Sequence, residues 1–377
     1  SGQNSSIAWR DVWSWGGNKL ELEFLNASVP AKLSLSNRLS IDGSLISSRR
    51  IGDMLYLVTR YSPSVPGFIP YAYDDEARQR NDVLLAESTL LEMTPKITFL
   101  SGAKQELVSS EQCYLATGAV DATRNPSIIS IVSIPLNAPE SFSSTCFLGN
   151  SETVYMTTDS LYLATTQNEY SVSANDALFY NPNHKTAIHK FALRGSDIEY
   201  RGSGEVEGHL GWSEDKRSFR MGANGKEGEY LNVVTSLGDT WSGSSSTRLT
   251  VLKENAGELQ TIDIIDGIGK PGEQLYAARF LGDRAYLVTF RVIDPLYVID
   301  LSDQDNPSIA GELEIDGYSD YLHPIGESLI LGIGKDAIPD DGSTDFSFTR
   351  GAWYQGVKLS LFDVSDISAP TEINSLI

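Results

Sequence analysis

The residues best suited to chemistry in this sequence are also its scarcest, the four histidines. His209 and His323 stand at matching points of two different strand repeats, each close to a large aromatic residue, Trp212 or Tyr321. If the two imidazoles meet, they can bind a transition metal or a polar ligand, while the aromatic rings offer stacking surface. The same placement suits histidines that only cap backbone groups between consecutive sheets, and this alternative stays open.

The other two histidines predict structural roles. His189 lies within an apolar strand and is expected to be a half-buried structural residue. His184 follows Asn-Pro-Asn, a turn signal, and is expected at the surface.

Arginines and further aromatic residues extend the candidate ligand surface. Arg220 or Arg291 would pair with an anionic group of a ligand. Trp241, Trp353 and Tyr354 are expected in the connections between second and third strands, where they form a second candidate binding surface. Alternatively, these rings only wedge neighbouring sheets together.

Catalytic and metal-binding signatures are absent from the sequence. It contains no Gly-x-Ser-x-Gly, no His-Glu-x-x-His and no phosphate-binding glycine loop. The oxygen-rich stretch 340–345 lacks the residue spacing of a calcium loop, and no paired cysteines or histidines have metal-ligand spacing. We therefore expect no cofactor, with a calcium ion or a transition metal as the open alternative.

Composition excludes one class of partner and limits another. A net charge of −21 and a pI near 4.5 argue against nucleic-acid binding, because no basic stripe offsets phosphate repulsion. No apolar run approaches the ~20 residues that span a bilayer, so no membrane span is expected in this chain. The abrupt start on Ser-Gly-Gln-Asn, without a signal peptide, predicts that this is part of a longer protein.

Short β-strands that recur along the chain must position the candidate residues. The stretch from Phe280 to Gly326 contains three strand signals, Arg284–Arg291, Leu296–Leu301 and Ile309–Ile315, separated by Asp-Pro and Asp-rich turns. Its second-strand pattern, GDRAYLVT, has a close relative in GDMLYLVT, and the aligned copies end on Thr59, Thr165, Thr235, Thr289 and Ile333. Four antiparallel strands that repeat in this way predict the blades of a β-propeller.

We accordingly expect one all-β propeller domain over residues 1–377, made of four-stranded antiparallel blades. Five full blades are predicted at 44–150, 151–208, 217–269, 274–317 and 320–377, after a partial blade at 1–43. In the partial blade, Lys19–Leu25 and Lys32–Ile41 match third and fourth strands. Its inner strands must come from the residues before Lys19 or from further parts of the protein.

The first full blade carries an insertion. Residues Asp74–Met93 predict a helix with acidic residues in its first turn and an apolar face of Val83, Leu84, Leu90 and Leu91. Cys113 and Cys146 are the only cysteines, and their even count in a loop-rich acidic chain favours a disulfide over two free thiols.

Several longer motifs carry a family resemblance. They include SSRRIGD (47–53), RGSGEVEGHLGW (201–212), FLGDRAYLVTFR (280–291), YSDYLHPIG (318–326) and GAWYQGVKLSLFDVSD (351–366). With these motifs the chain resembles the secreted bacterial and archaeal β-propeller family that is distantly related to WD-repeat proteins. The resemblance implies a secreted, periplasmic or cell-surface propeller in a prokaryote, and it implies no activity.

Two functions from different classes remain. The favoured one is an extracytoplasmic interaction module that binds a protein, a glycan or a small molecule at one propeller face. The alternative is an enzyme, such as a hydrolase, a lyase or a metal-dependent oxidase, with a site at the channel mouth around His209 and His323. The absence of catalytic signatures favours the interaction module.

Overall fold

The structure is a computed structural model that describes residues 19–69, 72–115, 127–167, 170–172, 178–180, 184–238, 243–290, 294–339 and 352–377. Strands dominate these residues, so the all-β prediction is confirmed. The chain divides into two compact units, unit 1 with Ser1–Thr158 and Phe191–Tyr200, and unit 2 with Asp159–Lys190 and Arg201–Ile377. That the whole chain forms one domain stays a prediction.

Unit 1 contains two sheets. The first has the order β1-β2-β5-β6, with strands Lys19–Asn26, Ser34–Asp42, Lys96–Phe99 and Lys104–Glu106. The second has the order β3-β4-β8-β9-β7, with strands Ser44–Ile51, Met54–Tyr61, Ile128–Pro135, Ser143–Leu148 and Cys113–Leu115. A shared apolar core lies between them and includes Leu39, Ile41, Leu57, Ile97 and Val132.

The predicted partial blade forms a sheet by recruiting part of the insertion. β1 and β2 pair as the antiparallel hairpin that the sequence predicts. β2 then pairs with β5, and β5 with β6, so two short strands from the insertion extend its outer side. Within the described residues, β1 is the edge strand on the other side.

The predicted helix is wrong in its extent and in its apolar face. It divides into α1 (Asp75–Glu87) and α2 (Leu90–Met93), because Ser88 ends the first helix and Thr89 begins the second with a capping box to Glu92. Val83, Leu90 and Leu91 are exposed.

A polar residue anchors helix α1 instead of an apolar face. The buried Asn81 side chain accepts from the Ile69 backbone N–H at 2.9 Å and donates to the Ile69 carbonyl oxygen at 2.8 Å. These two hydrogen bonds satisfy both backbone polar groups of Ile69 in the preceding loop, as a neighbouring backbone segment would.

The cysteine prediction is confirmed. Cys113 of β7 lies opposite Cys146 of β9 in a parallel pair, and the two residues form a disulfide with their Cα atoms 4.4 Å apart. The bond ties the end of the insertion to the second sheet of unit 1.

Unit 2 contains two complete four-stranded antiparallel sheets in chain order. One is β20-β21-β22-β23, with strands Gln274–Leu281, Arg284–Phe290, Asp294–Asp300 and Ser308–Ile315. The other is β24-β25-β26-β27, with strands Tyr318–Ile325, Leu329–Pro339, Ala352–Asp363 and Thr371–Leu376. Both occupy the stretches that the repeats predict.

A larger sheet has the order β10-β11-β14-β15-β19-β18-β17-β16. Its strands are Thr153–Met156, Ser160–Gln167, Lys185–Arg194, Asp197–Glu207, Glu258–Ile268, Ser246–Asn255, Tyr230–Leu237 and Met221–Asn224. β12 (Tyr170–Val172) and β13 (Leu178–Tyr180) form a separate hairpin. The short helix α3 (Glu214–Arg217) precedes β16.

One parallel contact joins two four-stranded groups within the larger sheet. Ser203 of β15 pairs with Glu258 of β19. Gly202 and Gly204 flank this point, and a Cβ atom on either would overlap backbone atoms of Gly257 or Leu259, at the start of β19. The two glycines therefore allow a strand approach that larger residues would block.

The third-strand repeats end in Asx turns, as their Asp/Ser sequences predict. The Asp300 carboxylate accepts from the Ser302 N–H, and the Asp363 carboxylate accepts from the Ser365 N–H, both at 2.9 Å. These backbone hydrogen bonds lower the pKa of Asp300, and the Ser365 hydroxyl and N–H lower the pKa of Asp363. The two third-strand sequence repeats therefore form turns with the same hydrogen-bond geometry.

Candidate functional site

The first candidate group forms around His209, between β15 and β16. His209 exchanges two backbone hydrogen bonds with Ser236, each 3.0 Å long. Its Nδ1 accepts from the Gly211 N–H at 3.0 Å, so one ring nitrogen caps its own turn. The capping alternative expected such a bond to a backbone group of the neighbouring sheet, whereas this one lies within two residues of His209.

Trp212 is the exposed member of this group. Its indole is stacked on the His209 ring, with centroids 4.7 Å apart and planes 29° from parallel. Trp212 remains 67% exposed despite this contact, so its other face meets solvent. A large exposed ring held by a buried partner offers a rigid stacking surface.

His184 joins the group, contrary to the surface position that the sequence predicts. Its ring is buried and meets the rings of His209 and Trp212 edge-on, at 5.2 and 5.8 Å. The reason is a long-range backbone contact, since the Gly208 N–H donates to the His184 carbonyl oxygen at 2.6 Å. The prediction that His189 is a buried strand residue agrees with its position in β14.

Arg220 lies beneath the loop that carries His209 and Trp212. Its guanidinium donates to the Ser236 hydroxyl at 3.0 Å and to the Leu275 carbonyl oxygen at 2.9 Å. Gly211 passes directly over it with a φ of +83°, and a Cβ there would lie 2.8 Å from Nη2. Arg220 is 7% exposed, and in the described part of the chain only neutral oxygens accept from it.

The group contains two arginines, Arg217 and Arg220, inside a strongly acidic chain. Burial, together with Arg217, lowers the pKa of Arg220 to about 10, which leaves it charged at neutral pH. Burial, together with Arg220, His184 and Arg217, lowers the pKa of His209 to about 3. The His209 ring is therefore neutral at physiological pH, while Arg217 and Arg220 supply positive charge.

The second candidate group contains Tyr321 and His323 on strand β24. The Tyr321 hydroxyl and His323 Nδ1 are 3.1 Å apart, and the His323 side chain is exposed. Phe219 meets the Tyr321 ring edge-on at 5.8 Å, and Lys216 forms an ion pair with Asp320. Residues 216–219 thus connect the two groups, but the described contacts of His209 and of His323 do not include each other.

The side chains of the remaining predicted site residues lie outside the part of the chain that the structure describes. Trp241, Arg291 and the stretch 340–345 lie outside the described residues, and so do the side chains of Trp353 and Tyr354. The backbone of Trp353 and Tyr354 pairs with Ile338 and Ala337 in the β25–β26 ladder. Their expected place in a loop is therefore wrong.

Metal and membrane features can be stated only for the described part of the chain. There, no group of three or more His, Cys, Asp or Glu side chains is arranged to hold a metal ion. No helix among the described residues is long and apolar enough to cross a membrane.

A cavity of about 630 Å³ lies in unit 1 beside helix α2. Its lining includes Leu90, Leu107 and Phe142, and its one carboxylate, Glu106, already forms an ion pair with Lys96. It therefore offers less specific chemistry than the Trp212 group.

Sequence reasoning missed three members of this region, His184, Arg217 and Phe219. The cationic run Lys216-Arg217-Ser218-Phe219-Arg220 was a usable signal, because it stands out in a chain of net charge −21. No local signal shows that His184 is buried, since its contacts come from residues more than twenty positions away.

The fold therefore belongs to the class of all-β proteins with repeated four-stranded antiparallel sheets. The chain belongs to the beta propeller domain family, whose model matches residues 3–377. It is 40% identical over 190 residues to an uncharacterised protein of Methanocaldococcus jannaschii and 38% identical over 193 residues to one of Archaeoglobus fulgidus.

These matches cover about half of this chain, 50% and 51%, but only 26% and 25% of the two relatives. Among solved structures, a mutant apocarotenoid oxygenase of Synechocystis matches with a TM-score of 0.33 and 11% identity, over 66% of this chain and 55% of the other. A structural likeness at that level bears on neither fold nor function.

Proposed function

We propose that this chain is an extracytoplasmic β-propeller module that binds an anionic ligand at the surface around Trp212. The observation that carries the proposal is the exposed Trp212 ring, stacked on buried His209 beside the buried cation Arg220. The ring would hold the apolar body of a ligand by stacking, and an anionic group beyond the ring edge would gain long-range attraction from Arg217 and Arg220.

The four-stranded sheets support the propeller interpretation. Each sheet β20–β23 and β24–β27 runs in chain order, as one blade does, and β16–β19 form a group of the same kind. We retain five full blades, at 44–150, 151–208, 217–269, 274–317 and 320–377, and a partial one at 1–43.

Binding is favoured over catalysis by the state of His209. A general acid or base works best with a pKa near the working pH, and the pKa of His209 is about 3. Its Nδ1 is also occupied by the Gly211 N–H. The enzyme alternative, a hydrolase, lyase or metal-dependent oxidase around His209 and His323, would need His209 Nδ1 to give up its hydrogen bond from the Gly211 N–H.

An extracytoplasmic location is supported by the Cys113–Cys146 disulfide, since such bonds persist in oxidising compartments. The test is fractionation of cells that produce the complete protein into culture medium, surface and periplasmic washes, and cytoplasm. The propeller is expected outside the fraction that contains a cytoplasmic marker. Its recovery together with that marker would contradict the location.

Ligand binding is tested with polygalacturonate as the carboxylated probe, dextran as the neutral one and inorganic phosphate as the small anion. Titrations followed by calorimetry are expected to show polygalacturonate binding that weakens as salt rises. Trp212→Ala is expected to weaken it at least about tenfold. Tyr73→Ala, which removes an exposed aromatic ring in unit 1, is the matched control and should have no effect.

Four outcomes separate the alternatives. Equal binding of dextran would contradict an anionic ligand, and loss of binding in neither variant would contradict the Trp212 site. Phosphate competition would assign recognition to the charge alone. Cleavage of polygalacturonate, detected as new reducing ends, would favour the enzyme over the interaction module.

A further inference from the structure

The cavity beside helix α2 is lined by residues of unit 1 alone, and these residues come from two kinds of surroundings. Leu90 and Leu91 of α2 line it and are 61% and 62% exposed. Leu107 and Phe142 also line it, and they belong to or pack against the apolar core between the two sheets of unit 1. The cavity therefore joins exposed leucines to a surface of the core.

The wall that carries the two leucines is fixed to the first sheet of unit 1. The Leu91 carbonyl oxygen accepts from the Lys96 ammonium group and, at 3.2 Å, from the Thr94 hydroxyl. Lys96 begins β5 and forms an ion pair with Glu106 of β6. Since α2 has only four residues, these contacts rather than the helix itself hold the leucines in place.

The second wall runs from Leu107 to Gln112 and is fixed to strand β9 of the other sheet. The Ser144 hydroxyl donates to the Leu107 carbonyl oxygen, and the Thr145 hydroxyl donates to the Gln112 carbonyl oxygen at 2.7 Å. The disulfide of Cys113 follows directly after this wall. Because both walls are anchored, the cavity is preformed, and a ligand would lose little affinity to ordering of the protein.

Most polar side chains in the lining already have partners inside the protein. The Glu106 carboxylate accepts from Lys96 and Thr94. The hydroxyl groups of Ser143 and Ser144 donate to backbone carbonyl oxygens. Groups that are bonded in this way add little to the recognition of a ligand, so recognition rests on the apolar side chains.

The size of the cavity fits a small molecule with a hydrocarbon body. Its volume is about 630 Å³. At the ~30 Å³ that one water molecule occupies in the liquid, this corresponds to roughly twenty non-hydrogen atoms. A single medium-length alkyl chain with a compact head group is of that size.

Two exposed carboxylates stand next to lining residues. Glu111 lies in the short turn Ser110–Gln112, and both ends of this turn line the cavity. Glu140 lies two residues before Phe142. Neither glutamate forms an ion pair with a residue that the structure describes.

The basic side chains nearby do not balance these carboxylates. Lys96 and Glu106 form an ion pair that adds no net charge. Lys104, two residues before Glu106 on β6, is one further base, while Glu92, next to Leu91, is one further acid. Carboxylates therefore outnumber ammonium groups around the cavity, which complements a positively charged ligand.

We propose that this cavity binds a small cationic amphiphile, a molecule with one hydrocarbon chain and an ammonium head group. The chain would contact Leu90, Leu91 and Phe142, and the head group would lie at the rim near Glu111. The proposal does not rest on ligand binding at Trp212.

Two other occupants fit the same observations less well. Anionic lipid head groups attract clusters of Lys and Arg, whereas the surroundings of this cavity are acidic, which opposes docking on a membrane surface. A second copy of the chain brings a further net charge of −21, which opposes association of two copies.

The test is a calorimetric titration of the 377-residue chain with dodecyltrimethylammonium below its micelle concentration. Dodecanoate and dodecyl maltoside carry the same type of hydrocarbon chain with an anionic and a neutral head group. The ammonium compound is expected to bind at least about tenfold more tightly than dodecanoate, with a preference that falls as salt rises. Equal or tighter binding of dodecanoate would overturn the proposal.

Substitutions separate the cavity from general attraction to an acidic protein. Leu90→Ser combined with Leu91→Ser removes one apolar wall and is expected to weaken binding of the ammonium compound at least about tenfold. Leu85→Ser is the matched control, because Leu85 is an exposed leucine of α1 that does not line the cavity, and it should have no effect. Glu111→Gln should weaken binding of the ammonium compound about threefold and leave binding of dodecyl maltoside unchanged.

A second variant keeps the test decisive if the double leucine variant does not fold. Ser110→Trp places a large ring at an exposed position of the lining and is expected to weaken binding at least about tenfold. Binding that stays unchanged in whichever of these variants unfolds like the wild type would overturn the proposal. So would binding to phosphatidylcholine vesicles without binding of the monomeric compound, because the occupant is then a membrane. A dimer that the double leucine variant converts to monomer would overturn it as well, because the occupant is then a second copy.

Discussion

The ammonium group of Lys190 donates to a carboxylate oxygen of Glu254 at 2.5 Å, in a place where the lysine is 1% exposed. The same ammonium donates to the Gly228 carbonyl oxygen at 2.7 Å. Arg201 forms a second ion pair with Glu254. A buried lysine is thus neutralised by a carboxylate from a strand more than sixty positions away.

Loss of that carboxylate is expected to be costly. Glu254→Gln leaves the Lys190 charge buried without its counterion, and we expect the free energy of unfolding to fall by about 3 kcal/mol. Denaturant unfolding measures the change. Glu314→Gln is the control, because its ion pair with Lys270 is exposed and should contribute about 0.5 kcal/mol or less. Equal effects of the two substitutions would contradict the prediction.

Buried imidazoles should make stability depend on pH between neutrality and weak acid. Burial lowers the pKa of His189 to about 4 from an ordinary value of 6.5. The unfolded chain therefore binds a proton first as pH falls, and His189 stabilises the fold above pH 6.5 and loses that contribution down to about pH 4.

The measurement is urea unfolding from pH 8 to pH 4.5. Each such histidine is expected to add a slope of at most about 1.4 kcal/mol per pH unit below its unfolded pKa. His189→Gln should flatten the dependence of the unfolding free energy on pH. At pH 8 the wild-type imidazole is neutral, so the change in unfolding free energy measured there is the part of the substitution's effect that does not depend on pH. An unchanged slope would show that His189 charges freely in the folded protein.

One strand glycine is expected to be irreplaceable for steric reasons. A Cβ at Gly311 would overlap the Ile367 carbonyl oxygen and lie 2.9 Å from the Pro370 ring. We expect Gly311→Ala to destabilise the protein by about 2 kcal/mol. Gly356→Ala, in β26, is the control because its nearest atom lies 3.7 Å away. Thermal unfolding of both variants checks the difference, and a neutral Gly311→Ala would show that the neighbouring turn yields.

The disulfide should contribute measurably to unit 1. It closes a loop of sequence separation 33, for which the chain-entropy relation gives about 3–4 kcal/mol. The double variant Cys113→Ser and Cys146→Ser is expected to lose about that much stability. Titration of the unfolded, unreduced wild-type protein should find no free thiol, and two free thiols would refute the bond.

The sequence predicted those features that depend only on neighbouring residues or on residue counts. The Asp300 and Asp363 turns need only neighbouring backbone groups, and the strand repeats need only alternation and turn residues. The Cys113–Cys146 bond followed from the absence of any other partner. Helix α1 was predicted, but its end at Ser88 was missed because competing capping side chains decided it.

The candidate site was only partly readable, because its members come from distant segments. Exposure of Trp212 and burial of Arg220 depend on how the 208–212 loop lies over the 217–220 turn. His184 is buried among rings and backbone of residues 208–212, which are more than twenty positions away. Such contacts join segments that are distant in the sequence, and the local sequence of one segment does not indicate that the other lies beside it.

By itself the sequence determined that the chain is all-β, where its strands recur and which two cysteines pair, since periodicity, turn chemistry and residue counts are properties of the chain. Only the tertiary structure decided that the insertion strand β5 pairs with β2, that Arg220 is buried among neutral oxygens, and that Trp353 and Tyr354 pair within the β25–β26 ladder. The reason is that register and burial arise from packing between segments. A shift of one residue in the pairing register of a strand exchanges the side chains on its two faces.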